Sequence, residues 1–200
     1  VAKGELMISA SDMETTITTS TKVESNDNGN IAIPAKTLLD ALSNLPEQPI
    51  SFIVDKTKNS IKIKTETGDY NISGQNGAEY PKLPQLNSEA SIVIKSDVLG
   101  NAINKTIFAT GNDDLRPVMS GVFCQFNETN SIFVATDAHK LVRYTRSDAK
   151  AGSASSFIMP KKPLNILKNL LVGIDDAVKV EFNKTNALFS FAGVNLICRL

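Results

Sequence analysis

The only histidine of the chain lies in a short polar segment between two apolar, strand-like runs. In SIFVATDAHKLVRYT (131–145), His139 follows Asp137 by two residues and directly precedes Lys140. A carboxylate beside an imidazole can serve acid–base catalysis, and residues two apart in a strand lie on the same face. Three interpretations are open: a hydrolase in which Asp137 orients His139, part of a metal site, or a binding surface without catalysis.

Catalysis or metal binding at His139 would need further groups, and no motif supplies them. The sequence contains no Gly-x-Ser-x-Gly segment, and its two cysteines, Cys124 and Cys198, lie in the apolar runs GVFCQF and NLICRL. We expect both to be buried free thiols in a reducing cytosol. A single histidine cannot complete a zinc site of Cys and His ligands. We therefore expect neither a metal nor a cofactor.

Composition is that of an ordinary soluble globular protein. Apolar residues make up 42% and charged residues 21%, and the 21 Lys plus Arg balance the 21 Asp plus Glu. Nucleic-acid binding would therefore need a locally basic face. No apolar run approaches the roughly 20 residues that cross a bilayer, and there is no signal peptide, so we expect a cytoplasmic protein. Because the chain starts at Val1 and stops at Leu200 inside an apolar run, we expect a fragment of a longer protein.

Three pairs of similar segments recur in the same order, which predicts two copies of one domain. The pairs are 7–17 with 132–142, 31–45 with 156–171, and 50–64 with 178–191. The proline-containing segment 81–90 is the predicted linker between domain 1 (1–80) and domain 2 (91–200). The second copy has an additional opening strand and helix.

Helices are predicted over 34–45, 96–108 and 160–171, with Ser96 as the N-cap of the second. Elsewhere apolar residues recur at every second position, as in 118–126, which predicts antiparallel sheet with one buried face. Each domain is then α+β, with a few helices on one face of the strands. The predicted buried stripes are Ala35, Leu38, Leu39, Leu42 and Leu45; Val98, Leu99, Ala102, Ile103 and Ile107; and Leu164, Leu167, Leu170 and Leu171.

The segment DLRPVMSGVFCQF…IFVATDAHKLVRYT resembles the second domain of the bacterial DNA sliding clamp, the beta subunit of DNA polymerase III. The family pattern is an arginine-containing loop, a glycine-centred strand, and then Ala-Thr-Asp, a small residue, His, a basic residue and Leu. Arg116, Gly121 and residues 135–141 match it. Most relatives have Gly and Arg where this chain has Ala138 and Lys140, and lysine lacks the planar fork of arginine. The first copy, SASDMETTI, resembles the first clamp domain, which keeps the aspartate but not the histidine.

The resemblance implies a DNA-clamp fold and a non-catalytic function. Family members have three copies of this domain, and two subunits pair head to tail into a homodimer ring around double-stranded DNA, with the helices lining the hole. The chain would hold most of domain 1, without its opening strand and helix, and nearly all of domain 2, and the third domain would be absent. The implied function is that of a processivity factor. Its partners would be the replicative DNA polymerase, the clamp loader and other clamp-binding-motif proteins, with no membrane.

Two sets of residues follow from the resemblance. One lines a groove that docks a short extended peptide, with apolar floor and polar rim: Met119, Thr136, Ala138, His139, Lys140 and Leu141. The other lies on the predicted helices and would face DNA: Lys36, Lys105, Lys161, Lys162 and Lys168. The alternative for these lysines is a solvated helix face, which is the commoner use of surface lysine. A hydrolase using Asp137 and His139, and a tandem-domain scaffold without DNA, remain the alternative hypotheses.

Overall fold

The computed structural model describes residues 1–2, 4–25, 27–81, 85–113 and 115–200. The chain divides into two compact units, one formed by residues 1–10 and 20–83 and the other by residues 11–19 and 84–200. Part of the predicted linker, 82–84, lies outside the described residues, and the predicted domain limits stay a prediction. No helix in the described part of the chain is both long and apolar enough to cross a membrane.

Among its described residues, the first unit consists of one α-helix, a 3-10 turn over Gly77–Glu79 and short antiparallel strands. Ile61, Ile63 and Ile72 are its buried core, and two leucines of the helix pack against them. The strands β4, β5 and β6 form one sheet in that order, and β3 pairs with β7. The elements are β1 (Glu5–Ser11), β2 (Thr15–Lys22), β3 (Ile31–Ala32), α1 (Ala35–Ser43), β4 (Ser51–Asp55), β5 (Ser60–Lys64), β6 (Asp69–Ser73) and β7 (Gln75–Asn76), of which β1 and β2 contribute residues to both units.

The stripe predicted for α1 is only partly buried. Leu38 and Leu42 pack on the isoleucine core, whereas Leu39 exposes 64% of its surface and Ala35 is exposed. Residues four apart lie on one face of a helix, whereas adjacent residues are about 100° apart. The prediction that Leu39 faces inward is therefore wrong, and Leu45 lies beyond the helix, which ends at Ser43.

Two antiparallel sheets and two neighbouring helices enclose the core of the second unit. One sheet has the order β2, β15, β14, β13, β8, with Thr15–Thr19 of β2 paired to β15, and the other has the order β11, β10, β9, β12. The elements are β8 (Ala90–Lys95), α2 (Ser96–Thr106), β9 (Gly121–Phe126), β10 (Ser131–Thr136), β11 (Leu141–Arg146), β12 (Ser155–Pro160), α3 (Lys161–Leu170), β13 (Ala177–Phe182), β14 (Asn186–Phe191) and β15 (Val194–Arg199).

Burial in α2 and α3 follows the predicted spacing. All five residues of the α2 stripe are buried, as are Leu164, Leu167 and Leu171, while Leu170 is half-buried. Cys124 and Cys198 are buried free thiols, as predicted. Both helices are therefore anchored firmly to the core, since a leucine side chain that is fully buried contributes about 1.5–3 kcal/mol.

Three details predicted for this unit are wrong. Ser96 is the first helical residue rather than the N-cap, and its buried hydroxyl donates to the carbonyl of Ile174 at 2.6 Å. The helix ends at Thr106 and continues as a 3-10 turn over Ile107–Ala109. The strand predicted over 118–126 begins only at Gly121, because a 3-10 turn occupies Pro117–Met119.

Candidate functional site

His139 lies in a tight turn between two paired strands. β10 ends at Thr136, which pairs with Leu141 at the start of β11. Within the turn, Asp137 Oδ1 accepts the backbone N–H groups of His139 at 3.1 Å and of Lys140 at 3.0 Å. An aspartate that binds the backbone two residues ahead is a common turn device. Asp137 and His139 therefore do not share a strand face, and the assumption behind the hydrolase hypothesis is wrong.

The Asp137 carboxylate is occupied by groups other than the imidazole. Its Oδ2 atom forms an ion pair with Lys140 Nζ, while Oδ1 accepts the two backbone N–H groups. The Lys140 ammonium, followed by these N–H groups, holds the pKa of Asp137 well below its ordinary value. The carboxylate thus shapes the turn rather than orienting a catalytic base.

The two cysteines do not provide a nucleophile either. Burial raises the pKa of the Cys124 and Cys198 thiols to about 12, so the reactive thiolate is scarce near neutral pH. Within the described ranges, no three His, Cys, Asp or Glu side chains are grouped so that they could hold a metal ion. The described residues therefore provide neither a reactive thiolate nor a metal cluster beside His139.

The same turn occurs in the first copy of the repeat, at Asp12. Asp12 Oδ1 accepts the N–H groups of Glu14 at 3.1 Å and of Thr15 at 2.7 Å. Met13 has a φ of +74°, the value that Ala138 has in the second turn. The similarity of MISASDMETTI to IFVATDAHKLV therefore reflects one backbone conformation used twice.

Met119 is brought near the His139 turn by a segment that we call the groove loop, which comprises residues 111–113 and 115–120. The Gly111 N–H donates to the Met119 carbonyl at 2.7 Å. A methyl group on Gly111 would lie 3.7 Å from Met119 Cβ and 3.8 Å from Asp137 Cα. Met119 and Asp137 thus both border Gly111, although β9 and β10 separate them in sequence.

The groove loop is held by its own polar contacts. Asp113 Oδ2 forms an ion pair with Arg116 Nε at 2.7 Å, and Asp113 Oδ1 accepts the Leu115 N–H at 2.9 Å. The Arg116 side chain is the main cause of the lowered pKa of Asp113. At the end of the loop, the Ser120 hydroxyl donates to the Asp113 carbonyl at 3.2 Å. Arg116, part of the sequence match, therefore acts within the loop.

The predicted groove residues differ in their exposure. Leu141 exposes 65% of its surface, while Met119 is half-buried. Ala138, His139 and Lys140 are exposed at the turn. Thr136 is half-buried and donates its hydroxyl to the Lys140 carbonyl at 2.8 Å. Thr136 thus stabilises the polar turn that precedes Leu141, and Met119 borders the same turn through Gly111.

The lysines predicted to face DNA have several environments. Lys36 is exposed on α1 of the first unit, and Lys105 is exposed on the last turn of α2. Lys168 is half-buried on the last turn of α3. These three positions are compatible with contacts to a phosphate backbone.

Two lysines at the start of α3 have protein partners that the sequence did not predict. Lys162 Nζ pairs with Asp12 Oδ2 at 2.5 Å and is the main cause that lowers the pKa of Asp12 to about 2. Lys161 Nζ donates to Asn112 Oδ1 at 2.8 Å. No motif marks Asp12 or Asn112 as a partner, because each lies far from α3 in sequence.

Comparisons with known proteins agree with this architecture. The Beta sliding clamp of Bacillus subtilis (strain 168) is 28% identical over 173 residues, which are 86% of this chain and 46% of that protein. The Beta sliding clamp of Staphylococcus epidermidis is 26% identical over 178 residues, 89% of this chain and 47% of that protein. The chain thus spans about half the length of the curated relatives it matches.

Solved structures show the same fold. A putative DNA polymerase III beta subunit from Eubacterium rectale matches with a TM-score of 0.93 and 24% identity, over 100% of this chain and 55% of that one. The DNA polymerase III subunit beta from Pseudomonas aeruginosa matches with a TM-score of 0.92 and 21% identity over the same shares. The predicted α+β clamp fold is confirmed.

Family models give the assignment. The N-terminal domain of the DNA polymerase III beta subunit matches residues 1–84. The central domain of the same subunit matches residues 93–200, more than half of the chain. The resemblance noted around His139 therefore extends over both copies of the repeat, and the chain belongs to the DNA polymerase III beta subunit family.

Proposed function

We propose that this chain is part of a DNA polymerase processivity factor that acts in the cytoplasm without catalysing a reaction. The complete protein forms a homodimer ring around double-stranded DNA and tethers the replicative polymerase. The clamp loader and other proteins with clamp-binding motifs use the same docking groove. The observation that carries the proposal is the juxtaposition of Met119, the His139 turn and exposed Leu141 in a chain of this family.

The groove suits an extended peptide with apolar side chains. Met119 adapts its flexible thioether to several ligands, and Leu141 offers an exposed apolar surface. His139 and Lys140, exposed on the turn that precedes Leu141, provide a polar rim for the peptide backbone. This division into apolar anchor and polar rim is common in peptide-docking sites.

The contact with DNA is expected to be weak and independent of base sequence. The chain has no net charge, and the proposed contacts are the helix lysines Lys36, Lys105, Lys161, Lys162 and Lys168. A ring retains DNA by topology, so few phosphate contacts are needed, and few contacts permit sliding. With few contacts, we expect a Kd of about 10⁻⁴ M or weaker at physiological salt.

Fluorescence anisotropy with duplex DNA at low ionic strength tests this contact. Exchanging Lys105 and Lys168 together for glutamine should weaken binding and reduce the salt dependence by roughly one ion per lysine. Lys184→Gln, on the β13–β14 turn, is the matched control and should bind as wild type. Sub-micromolar, sequence-specific binding by the wild-type chain would contradict the proposal.

Processivity itself is tested with the complete protein on a singly primed circular template. The replicative polymerase and clamp loader should make long products only when the protein is present. Protein loaded on the circle should remain bound until the DNA is linearised, because release then requires only sliding off an end. Rapid loss from intact circles would refute topological retention.

A further inference from the structure

Lys161, the first residue of α3, bonds to both ends of the groove loop. Its backbone N–H donates to the Ser120 carbonyl at 3.0 Å. Its side-chain Nζ donates to Asn112 Oδ1 at 2.8 Å. Lys161 therefore bonds to Ser120 at the end of the loop and to Asn112 near its beginning. The bond to Ser120 is made by the backbone and does not depend on the lysine side chain.

The contact with Asn112 lies next to the residue that positions Met119. Asn112 follows Gly111, whose N–H donates to the Met119 carbonyl, and a Cβ added at Gly111 would lie 3.8 Å from Asp137 Cα. A restraint on Asn112 thus acts on the junction between the loop and the His139 turn. The loop has exposed apolar side chains at Leu115 and Val118, so these two side chains contribute little packing that would hold it in place.

The helix that carries Lys161 is a firm support. Leu164 and Leu167 of α3 are 1% and 0% exposed and pack in the core of the second unit. A positive charge in the first turn of a helix is disfavoured by the helix dipole. An acceptor such as Asn112 offsets that disadvantage, because a hydrogen bond from a charged donor is stronger than one between neutral groups.

We propose that Lys161 is a positioning residue of the docking groove, which holds Asn112 and thereby keeps Met119 against the His139 turn. The inference rests on the proposed function, since it concerns the same groove. It assigns Lys161 a role separate from that of its neighbour Lys162, which pairs with Asp12. The Lys161 ammonium thereby holds Met119, the apolar base of the peptide site, in position. This role is separate from any contact of Lys161 with DNA.

The test uses the ¹⁵N-labelled chain and a short synthetic peptide with adjacent leucine and phenylalanine side chains. Amide chemical shifts are followed in the free chain and during titration, a method that also measures weak binding. The variants are Lys161→Met, Lys161→Arg, Asn112→Leu and the double variant Lys161→Met/Asn112→Leu. Lys184→Met is the matched control, and thermal unfolding establishes that each variant is folded.

In the free chain, Lys161→Met should shift the Gly111 and Met119 amides, whereas Lys184→Met should not. Lys161→Met and Asn112→Leu should each weaken the peptide roughly fivefold, a loss in the range of an ordinary net hydrogen bond, because the Lys161–Asn112 contact is exposed and water partly replaces it. The double variant should be no weaker than either single variant, because both remove the same contact. Lys161→Arg, which keeps a charged donor, should bind within about twofold of wild type.

Two failures are distinguishable. If wild type binds the peptide and Lys161→Met binds equally well with unchanged Gly111 and Met119 amides, the positioning role is refuted while the groove stands. Additive losses in the double variant would also refute it. If the wild-type chain shows no shifts at Met119 or Leu141, the docking site itself is refuted, and the free-chain shifts still decide whether Lys161 positions the loop.

Discussion

Leu141→Ala is expected to weaken peptide docking without unfolding the chain. Leu141 begins β11 and exposes 65% of its surface beside the His139 turn. Complete burial of a leucine side chain contributes about 1.5–3 kcal/mol. If the peptide covers the exposed two thirds, the loss is roughly 1–2 kcal/mol, or a factor of about 5 to 30 in Kd.

The chain offers a control of the same residue type and exposure. Leu39 on α1 exposes 64% of its surface but lies in the other unit, outside the groove. Leu39→Ala should leave peptide affinity unchanged. His139→Ala should cost less than Leu141→Ala, because an exposed polar rim group remains partly hydrated when the peptide is bound.

Calorimetric titration of the complete protein, or amide-shift titration of this chain, measures the difference. Both leucine variants should unfold in urea at nearly the wild-type midpoint, since most of each side chain is already in water. Equal peptide affinity for wild type and Leu141→Ala would refute the assignment of Leu141 to the groove. Equal weakening by Leu39→Ala would show that the effect does not come from a local contact.

Two further predictions concern turns in the second unit. Ala192 has a φ of +44° in the β14–β15 turn, so Ala192→Gly should stabilise the chain by about 0.5–1 kcal/mol in urea unfolding; an unchanged or lower free energy of unfolding would contradict this. In the folded chain, the pKa of Asp12 is lowered to about 2, chiefly by Lys162. The ionised carboxylate therefore stabilises the fold above the pKa that Asp12 has in the unfolded chain, and this stabilisation is lost as pH falls from about 4 to 2. Asp12→Asn should therefore be less stable than wild type at pH 7 and should lose less stability on acidification. If the free energies of unfolding of the two proteins changed with pH in parallel, the Asp12–Lys162 ion pair would be excluded as a source of the pH-dependent stability.

Several features of the fold were predictable because local backbone geometry determines them. The spacing of Val98, Ala102 and Ile103 places them on one face of a helix whatever the rest of the chain does, and all are buried. The repeated Ala-Ser/Thr-Asp segments form the same turn, because an aspartate binds the backbone N–H groups that follow it. The match to the family rested on these local features.

The errors arose where distant segments meet. Ser96 has the sequence of an N-cap, but the loop at Ile174 accepts its hydroxyl. Leu39 has the spacing of a core residue, but the small sheet below α1 covers only the face that contains Leu38 and Leu42. In both cases, contacts with residues distant in sequence determined the outcome, and the preference of the local sequence did not.

The candidate site shows the same division. Sequence alone determined which residues stand at the His139 turn and that Leu141 follows it. Only the tertiary structure decided that Met119 and Asp137 both border Gly111, and that Lys161 and Lys162 bind Asn112 and Asp12. The reason is physical: a turn is set by bonds between near neighbours, whereas a long lysine side chain binds whichever acceptor the packing of remote strands and loops brings within reach.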